Sequence, residues 1–376
     1  MRYMNTVVVL AFGLVLGGCL HDEDEEPGQS TPPPEANDPV MVPSAMFVLG
    51  DSLSDVGNAA GVADFLLSLS ISPPTVGLCN PVDVLVLPRP CDDLFFGKSR
   101  VSDGPVAVEH LAVHFGLAEL VPSLHVLPDG PVTGTVYAVA SATAREQGQA
   151  DLPNQVGMLL LDHASVLLID ALYVVIIGGN DAIDALQAAL AGTPEAAQMS
   201  AAIVTEAVTA IGTHIERLLD AGARRLVVAN VPDLAALPAV RADAQASGDE
   251  AVVLAAASVL SDSFNTELDA RLDAIEGSDQ WLSPTPLVLT RFDLLTALSA
   301  AQDAVTAAAG NVLDACFDSD TYRDSPAAER IFHPDCTPVD GGVPGFADFV
   351  FWDDIHPTGA VHAAIGAALI ELLPLD

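Results

Sequence analysis

From Ala45 onward the chain alternates short, continuous apolar runs with longer stretches in which apolar residues recur at helical spacing. Runs of the first kind predict strands buried on both faces of a parallel sheet, and stretches of the second kind predict the helices that cover it. Ala45 to Leu49 is one such run, ending at Gly50-Asp51-Ser52. Leu172 to Ile177 is a second, ending at Gly178-Gly179-Asn180-Asp181, and Leu226 to Ala229 a third, ending at Asn230-Val231-Pro232-Asp233. Helices are predicted over Ala201 to Ala221, closing on Gly222, and over Glu250 to Ile275. No internal repeat and no shift in composition divides residues 44–376, so one α/β domain is expected there. In open parallel sheets ligands bind beyond the carboxyl ends of the strands. Gly, Asn and Asp are also ordinary turn formers, so these strand ends do not by themselves define a site.

The first 43 residues follow a different pattern. Arg2 precedes an apolar run from Val7 to Leu16, and then comes Leu16-Gly17-Gly18-Cys19. The run is too short to span a bilayer and reads as the core of a signal peptide, residues 1–18. The four residues that end it resemble a bacterial lipobox, which would make Cys19 the lipidated first residue of an exported protein anchored to the cell envelope. Leu20 stands where an aspartate would resemble an inner-membrane retention signal, which directs the expectation to the outer membrane. Residues 19–43 turn acidic and proline-rich, with Asp22-Glu23-Asp24-Glu25-Glu26 and Pro32-Pro33-Pro34. Such a segment buries too little apolar surface to offset its ordering entropy, so a tether is expected.

Charge narrows the partners. With 13 basic against 51 acidic residues the formal net charge is -38, and Lys98 is the sole lysine. Acidic residues are spread along the whole chain, which gives a strongly anionic surface and argues against nucleic acid as a partner. A saline environment that screens self-repulsion and a GC-rich genome both account for this composition. Four cysteines follow Cys19, namely Cys79, Cys91, Cys316 and Cys336. In an exported chain an even number points to disulfides, with three pairings possible. The local pairs Cys79–Cys91 and Cys316–Cys336 are preferred, because each staples a polar, irregular stretch.

Chemistry enters at two distant segments. Phe47 to Asn58 places Ser52 at a sharp turn after a strand, with a helix expected directly behind it whose N-terminus would favour developing negative charge. At the other end, Phe351-Trp352-Asp353-Asp354-Ile355-His356-Pro357-Thr358 sets Asp353 and His356 three residues apart. One turn then brings the carboxylate to one imidazole nitrogen and leaves the other for a serine. Thr358 is expected to cap a last helix, Gly359 to Leu373.

The segments Gly50-Asp51-Ser52-Leu53-Ser54, Gly178-Gly179-Asn180-Asp181 and Asp353-Asp354-Ile355-His356-Pro357 resemble, in order, three diagnostic blocks of the SGNH/GDSL lipases and esterases. Ser102-Asp103-Gly104-Pro105, Asp151 to Val156 and Gly222 to Asp233 are also similar to that family, and the resemblance spans residues 45 to about 370. It implies a three-layer α/β/α sandwich with a central parallel sheet, flavodoxin-like, whose site opens at the carboxyl edge. It further implies a carboxylic-ester hydrolase working through an acyl-enzyme. Ser52 would be the nucleophile, His356 the general base and acid, and Asp353 its orienting partner. Asn180 would complete an oxyanion hole with the backbone N–H of Ser52. Where relatives carry a Gly-Gly-Ala turn that adds a donor, this chain has Tyr137 to Ala144, so that N–H is assigned to Ser141, with Ala140 as the alternative. No metal or organic cofactor is implied, and the partners expected are a small-molecule or lipid ester and the membrane that holds the anchor. Acyl transfer to another alcohol and polysaccharide O-deacetylation use the same triad, and an anchored binding protein with a degenerate triad is the reading outside catalysis. Phe346 to Trp352 and the pair Phe95-Phe96 are candidates for an acyl pocket, although apolar residues beside a strand are more often core.

Overall fold

The computed structural model describes residues 42–62, 99–127, 132, 134–281, 285–318, 332–336, 338–339, 343–344 and 346–375. Cys19, the tether, Cys79, Cys91 and the Phe95-Phe96 pair lie outside them. Four strands form a parallel sheet in chain order: β1 (Met46–Gly50), β2 (Leu172–Ile176), β3 (Arg225–Ala229) and β4 (Val288–Phe292). The first two are buried throughout, as continuous apolar runs in a sheet covered on both faces must be. On the other side of β1 the segment 135–139 runs alongside as a further parallel partner. Val48 N–H donates to Thr135 O, Tyr137 N–H to Val48 O and Val139 N–H to Gly50 O. The spatial order is therefore 135–139, β1, β2, β3, β4. In sequence terms the chain first steps to one side of β1 and then to the other, the flavodoxin-like order with its switch point between β1 and β2.

The helices fall into two packed groups. On one side α8 (Gly359–Leu372) packs on α1 (Ala107–His114) and α7 (Leu294–Ala307). On the other, α4 (Pro194–Asp220) packs on α2 (Leu152–Asp162), α3 (Gly179–Ala189) and α6 (Glu250–Glu276), with α5 (Pro238–Ser247) against α6. This is the expected three-layer sandwich. Its long helices take the expected places, except that α4 begins at Pro194, where Thr193 accepts the N–H of Ala196 as N-cap.

A second, two-stranded sheet carries the C-terminal chemistry. In it β5 (Asn311–Ala315) pairs in parallel with β8 (Phe349–Phe351), while β6 (Pro338–Val339) and β7 (Val343–Pro344) form a short antiparallel pair between them in sequence. Cys316 and Cys336 are joined in a disulfide with Cα atoms 5.4 Å apart, as the local pairing anticipated. Cys316 N–H donates to Phe351 O, and Phe317 N–H donates to Trp352 O, so the staple borders the strand that leads into Asp353. Phe346, Phe349, Phe351 and Trp352 are buried as core beside this strand and do not line the cleft described below, which settles them on the core side of the expectation.

Candidate active site

The carboxyl end of β1 delivers Ser52. Gly50 has to be glycine there, because a Cβ on it would fall 2.2 Å from the carbonyl oxygen of Ile176 on β2. After Gly50 the chain does not enter a helix directly, in contrast to the expectation. Ser54 N–H and Asp55 N–H turn back onto Asp51 O, and helical structure starts only at residue 58. The reason is Asp55, a fully buried carboxylate that accepts the N–H groups of Gly57, Asn58 and Ala59 and so consumes the positive end of that helix. The helix terminus that borders the serine belongs to α3 instead, with Gly179 and Asn180 in its first turn.

Across the sheet edge, β8 ends in a turn that closes on itself: Trp352 N–H donates to His356 O, and Thr358 N–H donates to Val350 O. Within it Asp353 Oδ1 accepts the N–H groups of Ile355 and His356 at 2.9 and 2.7 Å. His356 Nδ1 lies 2.8 and 2.9 Å from the two carboxylate oxygens of Asp353, and its Nε2 lies 2.8 Å from Ser52 Oγ. Thr358 caps α8 as expected, its hydroxyl accepting from Val361 N–H. The turn is held from outside by the Ser102-Asp103-Gly104 segment. Ser102 Oγ donates to Pro357 O, Asp103 Oδ1 accepts from Gly359 N–H, and a Cβ on Gly104 would come within 2.7 Å of Gly359 Cα.

The electrostatics suit a base at His356. Burial opposes a charge on its ring, but the charge and hydrogen bonds of Asp353, with Asp51 and Asp354 adding, lift its pKa above the ordinary value. Asp51, next to the serine, is itself buried and pushed up to about 7, chiefly because burial penalises its charged form.

A third segment completes the rim. In Val139 to Ala144 nearly every N–H is committed: Val139 to Gly50 O, Ala140 to Asp55 Oδ2, Ala142 to Val139 O, Thr143 to Asp151 Oδ1 and Ala144 to Asp181 Oδ2. Ser141 N–H is the exception, with no acceptor among the described residues. Its φ of 67° is the left-handed conformation that glycine adopts at least cost, which accounts for glycine at the matching turn of relatives. Of the two N–H groups expected there, that of Ala140 is taken by Asp55 and that of Ser141 has no acceptor among the described residues. Ser52 N–H likewise has no acceptor among the described residues. Asn180 Nδ2 donates one hydrogen to Ala142 O at 2.8 Å and keeps its second for another acceptor.

Behind this rim stand buried carboxylates, of which Asp151 and Asp181 lie in segments already noted in the sequence but without a role assigned to them. Asp181 is fully buried and takes Ala144 N–H together with the guanidinium of Arg145, and Asp151 takes Thr143 N–H and Oγ1 as well as Gln147 N–H. Asp55, Asp151 and Asp181 thus act as internal fasteners of the Ser141 turn.

Ser52, His356 and Asn180 line one cleft. Its other walls are overwhelmingly apolar and come from both helical layers, including Ile183 of α3, Leu234, Leu294 and Leu298 of α7, Ile355 and Ile365 of α8. That lining fits a small-molecule site, apolar with a few convergent polar groups. A comparison with curated proteins found no match. The family model for GDSL-like lipases and acylhydrolases, in contrast, matches residues 46–369, from the first residue of β1 into the last turns of α8. By fold and by that match, the chain belongs to the GDSL-like lipase/acylhydrolase family.

Proposed function

We propose that the protein is an exported serine esterase that hydrolyses carboxylic esters through an acyl-enzyme on Ser52. The observation that carries this reading is the unbroken relay from Asp353 through His356 to Ser52, with both imidazole nitrogens within 2.9 Å of their partners. In the first step Ser52 Oγ bonds to the ester carbonyl carbon while its proton passes to His356 Nε2. Asp353 keeps the Nδ1 hydrogen in place and stabilises the imidazolium. The negative oxygen is met by Ser52 N–H, Ser141 N–H and the free Nδ2 hydrogen of Asn180. Collapse breaks the ester C–O bond, and the alcohol leaves with the proton from His356. Water then repeats the sequence on the acyl-enzyme and releases the acid.

The same triad serves acyl transfer and sugar deacetylation, but the apolar walls favour a hydrocarbon group larger than acetyl. Lipidation at Cys19 would tether the enzyme to the envelope, outer membrane included. The chain enters β1 at the amino edge of the sheet, and the cleft opens at the carboxyl edge.

The test is turnover of p-nitrophenyl acetate, butyrate, octanoate and palmitate by the wild type and by Ser52→Ala. Turnover lost in the variant, with the wild-type optimum beyond acetate, is the expected result. Equal turnover by both proteins refutes the assignment.

A further inference from the structure

His362 sits on α8, one turn beyond the cap Thr358, and is only 1% exposed. Its Nδ1 accepts the backbone N–H of Ala107 at 3.3 Å, which places the ring hydrogen on Nε2. That Nε2–H is buried and has no hydrogen-bond partner among the described residues. The ring forms part of the wall of the same cleft that holds Ser52 and His356, where its neighbours in the lining include the hydrocarbon side chains of Leu298 and Ile365. Burial, with the nearby charges of His356 and His110 adding, lowers its pKa to about 3, so at ordinary pH it is a neutral donor and not a second base. A buried donor left unpaired costs the desolvation of that group and calls for an acceptor that arrives from elsewhere.

We infer that His362 is a specificity-determining residue whose Nε2–H recognises an oxygen atom carried on the otherwise hydrocarbon group that fills the cleft. The substrate class is then esters of hydroxylated or oxo-substituted aliphatic chains in preference to plain ones. A cleft that offers a buried donor discriminates strongly against an analogue that leaves it unpaired, whereas added hydrocarbon alone discriminates weakly. The inference rests on ester hydrolysis at Ser52 and adds to it only the identity of the chain.

The test uses methyl octanoate and its hydroxy and oxo derivatives, with the oxygen moved one carbon at a time along the chain, and follows acid release by titration. For the wild type, at least one derivative should exceed octanoate in kcat/KM by about 10-fold or more. In His362→Phe that ratio should fall to near one, and in His362→Gln, which keeps an N–H donor, part of it should remain. His362→Leu replaces the Phe variant if circular dichroism shows that the latter does not fold. A wild type that favours no derivative overturns the inference, and so does a preference that survives unchanged in a folded Phe or Leu variant. Absence of Ser52-dependent turnover on every ester would instead defeat the underlying assignment.

Discussion

The side-chain amide of Gln155 closes on both polar groups of Gly50, accepting its N–H at 2.8 Å and donating to its carbonyl at 2.8 Å across 105 residues of sequence. A third bond, to Ala150 O, fixes the amide itself. The residue two places before Ser52 is thus held by a glutamine from α2, which ties the start of the Ser52 turn to the sheet edge.

Removing that clamp should cost both stability and rate. Gln155→Ala leaves the Gly50 N–H without its acceptor, while Gly50 O keeps Val139 N–H, so unfolding free energy should drop by about 2 kcal/mol. Urea midpoints measure the first effect, and kcat measured on the folded variant should fall more than KM rises, since the loss is one of positioning.

The pH profile follows from His356 and Asp51. Turnover needs neutral His356, whose pKa is raised, so kcat/KM should fall on acidification with a midpoint above the ordinary value of about 6.5. Asp51 contributes to that rise and titrates itself at about 7, so the two protons leave as a coupled pair. Asp51→Asn removes the negative charge and should shift the acid limb to lower pH. A limb that stays in place shows that Asp51 does not act on the base.

The two kinds of oxyanion donor should respond differently. Asn180→Ala loses a side-chain donor and its hold on Ala142, and should lower kcat by roughly 10²- to 10³-fold with a smaller change in KM. In the proposed mechanism Ser141 donates through its backbone, so Ser141→Ala should be mild, and Ser141→Gly should keep activity while relieving on the order of 1 kcal/mol of left-handed strain. Proline at 141 is no clean probe, because it fixes φ near -65° where the turn needs 67°. Kinetics on the Gly, Ala and Asn180 variants decide the matter, and a loss at Ser141→Ala equal to that at Asn180→Ala would move the donor to the serine hydroxyl.

The proposed membrane attachment is tested at Cys19. Cys19→Ser should abolish lipid modification and release the protein from detergent-extracted membranes into the aqueous phase. Equal partitioning of both forms would refute the anchor.

Much of the fold was readable because its information is local. Met46 to Leu49, Leu172 to Ile176 and Leu226 to Ala229 are unbroken apolar runs followed by glycine or turn residues, and the Asp353 to His356 spacing implies its own turn. Cys316 and Cys336 were likewise matched by proximity in sequence. What escaped was non-local. The segment 135–139 is too short and too mixed to announce a strand, and it gains its place only from the open edge of β1. Asp55, Asp151 and Asp181 look like surface carboxylates in an acidic chain, yet each is buried because backbone N–H groups from the Ser141 turn converge on it. Asp55 also explains the error at Ser52: it caps a helix that the pattern placed six residues too early. The walls of the cleft, such as Leu294 and Leu298, belong to ordinary amphipathic helices, and only the sheet order brings them to the serine.

The central claim is that Ser52 is a nucleophile activated by His356, and covalent labelling tests it without reference to any natural substrate. The folded protein should be incubated with a fluorophosphonate at neutral pH, digested and mapped by mass spectrometry. One phosphonate adduct on Ser52, formed rapidly in the wild type and suppressed in His356→Ala, is the predicted result. An unlabelled Ser52 in folded protein, or labelling indifferent to His356, would contradict the account.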